Sequence, residues 1–256
     1  MNYFKTEITS ADIVSDNPMH QRLLFPYKIS KETISGNVLE LGCGWGRGIN
    51  DISQAANRFT GVDRNHALIR DLRNQYPQHT FKTAILPNLE YYKSDQYDYV
   101  ISFQVIEHIK HDRKFLSEIR RMLKPGGKLI LTTCNRSLSL TRNPWHIREY
   151  HADDLKALLQ DYFDVVELFG IGGNELIWEY YNQNKLAVQR LVRWDIMNLQ
   201  QRLPSWMLKE AYEIGNRFTR NNLLKQSEKL TKEITWSDYN LNDKPEDSFD
   251  FYCVCY

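Results

Sequence analysis

The sequence predicts an α/β protein whose core is a mostly parallel β-sheet wound with helices. Three observations carry that expectation. Short apolar runs alternate with amphipathic helical stretches from residue 38 to residue 170. The first of those runs, 38–41, leads directly into glycines at every second position, Gly42, Gly44 and Gly46. The last run, 250–256, alternates with the period of a strand and follows a long, mostly helical stretch.

In chain order, a helix over 19–33 precedes a turn at Gly36 and Asn37 and then the buried strand 38–41. The glycine loop opens a helix over 47–56, and 58–62 form a second strand that ends at Asp63. A helix over 65–72 leads to a third strand, 79–84, and then to a fourth, 97–103, which runs into Gln104, Glu107 and His108. Over 112–123, Phe115, Ile119, Met122 and Leu123 share one stripe, the pattern of a crossover helix packed on the sheet. Pro125, Gly126 and Gly127 end that helix and turn the chain into a fifth strand, 128–133. A further helix begins near Ala152, and 163–170 and 250–256 are the sixth and seventh strands.

Composition narrows the class. At 256 residues with 42% hydrophobic content, the chain can build one domain plus an elaboration. A net charge of +1 lacks the basic excess of a dedicated nucleic-acid binder. No apolar run approaches the roughly 18 residues of a membrane span, and the first ten residues lack a signal-peptide core. The expectation is therefore a cytoplasmic protein without stable membrane insertion, a monomer or homodimer acting on a small molecule. Cys43, Cys134, Cys253 and Cys255 have no C-x-x-C spacing, so neither a zinc site nor a disulfide framework is expected, and no metal ligands are assigned.

The glycine spacing separates two kinds of nucleotide site. A dinucleotide fingerprint requires G-x-G-x-x-G, but the sixth place is Arg47 counted from Gly42 and Ile49 counted from Gly44. The pattern present is E-x-G-x-G-x-G, beginning at Glu40. With Asp63 at the tip of the second strand, the 97–109 segment and the Pro-Gly-Gly turn, the chain resembles class I S-adenosylmethionine (SAM)-dependent methyltransferases. The likeness is to the ubiquinone/menaquinone-type small-molecule enzymes and covers residues 36 to about 170.

That resemblance implies a Rossmann-like seven-stranded sheet, six strands parallel and the last antiparallel, with SAM as cofactor. It implies that Glu40 lies near the methionine end of SAM and that Gly42, Cys43, Gly44 and Gly46 pack beneath it. Asp63 would accept from the ribose hydroxyls, with Arg64 beside it, although Asp63 also reads as the cap of the helix that follows. Ala84 and Ile85 fall where many relatives carry an Asp for adenine, Gln104 falls at the cofactor, and His108 near the methyl-transfer cleft.

An insertion between the sixth and seventh strands leaves and returns at the carboxyl edge of the sheet, where ligands bind. The chain thus divides into a cofactor-binding core with its N-terminal helix, 1–171, a helical cap or lid, 172–248, and the final core strand, 249–256. Within the cap, Ile177, Tyr180 and Tyr181, then Leu186, Val192 and Ile196, then Leu208, Tyr212 and Phe218 give amphipathic stretches. Trp178, Trp194, Trp206 and Trp236 read either as packing between cap helices or as substrate contacts.

The segment 143–151 also reaches the carboxyl edge and is similar to one in methyltransferases of bacterial small-molecule and cell-surface glycan pathways. His146 has the chemistry of a general base near neutral pH, with Glu149 orienting its ring, and His108 is the competing base. His146 and Glu149 equally read as a loop hydrogen bond and a helix cap. Arg22 is either a partner for the SAM carboxylate or an ordinary surface arginine. These groups point to O-methylation of a sugar, glycan-linked or lipid-linked intermediate. C-methylation in quinone-type biosynthesis and a non-catalytic SAM-binding regulatory or partner subunit are the alternatives.

Overall fold

Fully buried Val38, Leu39 and Leu41 make β1 (Asn37–Leu41) an interior strand of the sheet, because a strand covered on both faces must be apolar on both. The computed structural model describes residues 14–193 and 231–256, together with 204, 207–209, 212, 215 and 224. The strands are β1, β2 (Arg58–Asp63), β3 (Thr80–Thr83), β4 (Tyr97–Phe103), β5 (Leu123–Cys134), β6 (Val166–Gly173), β7 (Tyr239–Asn242) and β8 (Asp250–Cys255). Their spatial order is β3-β2-β1-β4-β5-β8-β6-β7.

The parallel part of the expectation holds, since β1 pairs in parallel with β2 and β4, β2 with β3, and β4 with β5. The strand count needs correction. Among the described residues the sheet has eight strands rather than seven, and two of them run against the rest. β8 is antiparallel to both β5 and β6, and β7 is antiparallel to β6. The additional strand lies inside the stretch 172–248 that the sequence suggested was helical cap. Tyr-Asn-Leu-Asn gives β7 little apolar period, and its pairing comes from the glycine-rich end of β6, where Gly172 faces Asn240.

Helices cover both faces. On one, α4 (Asp112–Met122) and α5 (Ala152–Gln160) bury Phe115, Leu116, Ile119, Leu155 and Leu159 against Leu39, Leu41, Leu129 and Leu131. On the other, α1 (Asn17–Ser30), α2 (Ile49–Ala55), α3 (His66–Gln75) and α6 (Glu175–Val192) pack Phe25, Tyr27, Ile52, Ile69 and Ile177 against Val38, Ile101 and Ile130. Strand alternation puts Glu40 on the Val38 face, beneath α1. β1 is flanked by β2 on one side and β4 on the other, so the chain reverses its winding there and opens a crevice beyond the carboxyl ends of the two strands.

In the cap, α6 packs its first turns on the core: Ile177 is buried, and the Trp178 ring centre lies 4.6 Å from that of Phe249. Trp178 thus takes the packing role, while Trp236 is 39% exposed. Trp194, Trp206, Ile196 and Phe218 lie outside the described residues. No helix among the described residues is long and apolar enough to cross a membrane.

Candidate active site

The glycine loop is held by backbone bonds to the next strand. The amides of Gly42 and Cys43 both donate to the Val62 carbonyl, at 2.7 and 3.0 Å, and the Gly44 amide donates to Asp63 Oδ2 at 3.0 Å. Gly42 adopts φ +83°, and a Cβ there would meet Val105 Cγ2 at 2.4 Å, so only glycine lets the loop pass so close to Val105, two residues after β4. At Gly44 a Cβ would find nothing within 4 Å, which leaves the loop's upper surface open to the crevice.

Asp63 also accepts from the Asn65 amide at 2.8 Å. The helix cap is Asn65 itself, whose side chain accepts from the amides of Ala67 and Leu68, so the capping role considered for Asp63 belongs two residues later. Asp63, Arg64, Cys43, Gly42, Gly44, Ile85 and Gln104 all line one cavity of about 980 Å³. Gln104 is held at φ +55°, an uncommon conformation for a side-chain-bearing residue and one that turns the chain at the cavity wall.

Three cofactor assignments are placed elsewhere. Glu40 is 1% exposed and does not line the cavity: its Oε1 accepts from the Tyr27 hydroxyl at 2.6 Å, and its Oε2 has no partner. Burial pushes its carboxyl up to about 7, with the Tyr27 hydrogen bond opposing and the Asp63 charge adding to the rise. Gly46 packs inward, where a Cβ would meet Ile49 and Leu72. Ala84 supports the wall through its amide, which donates to the Asp63 carbonyl at 3.1 Å. Each sits beneath the cavity and shapes it, because alternate residues of a strand or loop point away from the ligand side.

Arg22 lines the cavity with its side chain 21% exposed, and its charge is already engaged by a carboxylate of the protein. Its guanidinium makes a two-pronged ion pair with Asp250, which is 1% exposed, and stacks 5.5 Å from the Phe249 ring centre. The Asp250 charge and hydrogen bonds outweigh the desolvation and hold Arg22 firmly cationic.

The opposite wall gathers the two histidines. His146 Nδ1 is 2.7 Å from Glu149 Oε1, with side-chain exposures of 13% and 11%. Asn143 donates from Nδ2 to His146 Nε2 at 2.9 Å, because its own Oδ1 is taken by the Trp145 amide at 3.0 Å. The two partners fix the neutral tautomer: hydrogen on Nδ1 toward Glu149, lone pair on Nε2 toward Asn143. Burial raises the Glu149 carboxyl, but the His146 and Ser139 hydrogen bonds and nearby positive charge hold it below the usual carboxylate range. His108 stands edge-on to His146 with ring centres 5.0 Å apart, and its Nδ1 donates to the Trp145 carbonyl at 2.9 Å. The structure therefore brings His108, His146 and Glu149 together in the cavity that the glycine loop borders.

Sequence reasoning missed the groups that support them. Glu107 is fully buried, its Oε2 accepting from Thr133 at 2.9 Å and its Oε1 without a partner. Burial raises its carboxyl against the pull of the two histidines. Cys134 Sγ lies 3.7 Å from His146 Nδ1, and burial pushes this thiol up to about 12. Glu107, Cys134 and His146, side chains of types able to ligate a metal, come from three separate segments and bring their ligand atoms within 4.8 Å of one another. From the cap, Tyr180, Tyr181 and Tyr212 line the cavity, and Lys209 Nζ sits 3.8 Å above the Trp145 ring centre. The i, i+3 spacing of Asn143 and His146 is a local signal that could have found Asn143, whereas no local pattern distinguishes Cys134 or Lys209.

Known proteins resemble this chain over part of its length. The family model described as a methyltransferase domain matches residues 39–131. A probable S-adenosylmethionine-dependent methyltransferase of Mycolicibacterium smegmatis is 37% identical over 141 residues, 53% of this chain and 54% of that protein. A mitochondrial ubiquinone biosynthesis O-methyltransferase of Dictyostelium discoideum is 28% identical over 138 residues, 48% of this chain and 40% of that protein. Among solved structures, the [4+2]-cyclase SpnF superposes with a TM-score of 0.56 at 16% identity, covering 92% of this chain and 80% of its own, a likeness of fold. The chain spans about half the length of the curated relatives it matches.

Proposed function

We propose that this chain, which matches the methyltransferase-domain family model over residues 39–131, is a class I SAM-dependent methyltransferase that transfers the SAM methyl group to a hydroxyl of a small or medium metabolite, a sugar, glycan-linked or lipid-linked intermediate. The residues present suit SAM. The open space above Gly44 accommodates a ligand against the loop backbone, and Asp63, whose two oxygens keep lone pairs beyond the bonds they already accept, is available to ribose hydroxyls. Cys43, Arg64, Ile85 and Gln104 complete that end of the cavity, with backbone groups and apolar packing serving the adenine. Glu40 and Gly46 serve from beneath, by holding Tyr27 and packing α2 and α3.

When bound, SAM supplies a methyl group made electrophilic by its sulfonium. The protein's tasks are then to align the acceptor oxygen, exclude water and take up a proton. The His146–Glu149 pair carries the reading, since a carboxylate fixes the imidazole tautomer and stabilises the cation formed when Nε2 accepts the acceptor proton. For this, Asn143 yields Nε2 to the substrate. Trp145, Tyr180, Tyr181 and Tyr212 offer the acceptor an aromatic chamber, with the described parts of 172–248 acting as a lid. The similarity to the Dictyostelium ubiquinone biosynthesis O-methyltransferase supports the same chemistry. The four free, buried cysteines suit a reducing cytoplasm.

One observation favours a second reading. With Nε2 occupied by Asn143, His146 is a constrained base, and an activated carbon acceptor, as in quinone-type C-methylation, would need no base.

Calorimetry with SAM and S-adenosylhomocysteine, followed by methyl transfer from isotopically labelled SAM to hydroxylated and activated-carbon acceptors, tests the proposal. One-to-one SAM binding and label on oxygen are expected. No heat with either ligand, or tighter binding of NAD, overturns it. Label on carbon alone selects the second reading.

A further inference from the structure

Glu107, Cys134 and His146 present a carboxylate oxygen, a sulfur and an imidazole nitrogen that all lie within 4.8 Å of one another. We propose that this trio binds a divalent cation of the zinc class on the acceptor wall of the cavity.

The donor set selects the class. Thiolate and imidazole together suit zinc and its borderline-soft neighbours, whereas magnesium and calcium call for shells of oxygen. The spacing agrees: Cys134 Sγ is 3.7 Å from His146 Nδ1, close to the edge of a tetrahedron built from metal–sulfur and metal–nitrogen bonds of about 2.3 and 2.0 Å. Glu107 supplies an independent indication. It is fully buried and its Oε1 has no partner, an arrangement that costs free energy unless a donor or a cation joins it. Glu149, whose Oε1 is 2.7 Å from the same Nδ1, is placed to become a fourth ligand.

A cation here changes the neighbouring groups in a defined way. The thiol proton leaves as the sulfur–metal bond forms, and the hydrogen on His146 Nδ1 moves to Nε2. Asn143 must then turn its carbonyl oxygen toward Nε2 and release the Trp145 amide. His146 becomes a ligand instead of a base. Resting on the reading of His146 as the base, occupancy suppresses methyl transfer to oxygen.

The experiment is a titration of the metal-free full chain with Co²⁺, followed by absorbance. One equivalent is expected to bind with a cobalt–thiolate charge-transfer band that Zn²⁺ displaces and excess Mg²⁺ does not. Cys134→Ser should remove the band, and Glu107→Gln should weaken Co²⁺ binding about 10-fold or more. Circular dichroism and SAM calorimetry confirm that each variant is folded, and His146→Gln replaces Cys134→Ser should the latter misfold. No band in the wild-type chain, or a band that survives Cys134→Ser, overturns the site. A normal band in a chain that binds no SAM supports the site while overturning the methyltransferase reading. A normal band with oxygen methylation unaffected by saturating Zn²⁺ overturns the link to His146.

Discussion

The two walls of the cavity are built by different means. On the cofactor wall, one short segment does most of the work: β1, the glycine loop and the tip of β2 are joined by backbone amides donating to Val62 and Asp63. On the acceptor wall, Glu107, Cys134, His146 and Glu149 converge from separate segments through side chains, with Tyr180, Tyr181 and Lys209 added from beyond β6. A wall made of backbone tolerates side-chain change wherever the backbone path survives. A wall made of side chains depends on each of them, so substitutions should separate cofactor affinity from turnover.

The largest effect is expected where the second wall is anchored. Arg22→Met leaves Asp250 buried without its cation and should cost about 3 to 5 kcal/mol of stability, read by denaturant unfolding. A loss below about 1 kcal/mol would mean that Asp250 finds another partner and that the anchor is dispensable.

Beneath the cofactor wall, Glu40→Gln should stabilise the ligand-free protein. The neutral carboxyl is favoured in the fold, so Glu40's contribution is fully present below its ordinary value of 4.5 and is lost as pH rises through about 7. At about 1.4 kcal/mol per unit, Glu40→Gln gains about 3 kcal/mol at pH 8 and almost nothing at pH 4. Thermal unfolding across that range checks the sign, and a gain that grows toward acid pH contradicts it.

His146→Ala should lower kcat by about 100-fold or more, while SAM affinity measured by calorimetry stays put. His108→Ala is the paired control. Full turnover in His146→Ala with loss in His108→Ala moves the base to His108, and full activity in both variants points to an acceptor that needs no base. Smallest is Asp63→Ala, expected to weaken SAM binding by about 1 to 3 kcal/mol through lost charge-assisted hydrogen bonds. Weakening confined to turnover would erase the distinction between the walls.

The same contrast explains what could be read in advance. Gly42 and Gly44 were legible because a tight turn after a buried strand leaves its mark on consecutive residues, and Asp63 and Gln104 because they stand after the second and fourth strands in the pattern of the family that the chain resembles. His108, His146 and Glu149 were legible as residue types at a strand's carboxyl edge, and the structure brings all three into one cavity. Arg22 was not, since nothing within α1 announces a partner in β8. β7 escaped as well, because Tyr-Asn-Leu-Asn has weak strand character and pairs only where the end of β6 offers it a partner.

The sequence by itself determined the alternation of strands and helices, the glycine loop and the acid that ends β2, all of which are written in short runs of consecutive residues. Only the tertiary structure decided that Glu40 turns down to Tyr27, that Arg22 pairs with Asp250, and that Glu107, Cys134 and His146 share one corner. Those outcomes depend on which face of a strand is covered and on side chains brought together across the fold, and neither is encoded in any local spacing.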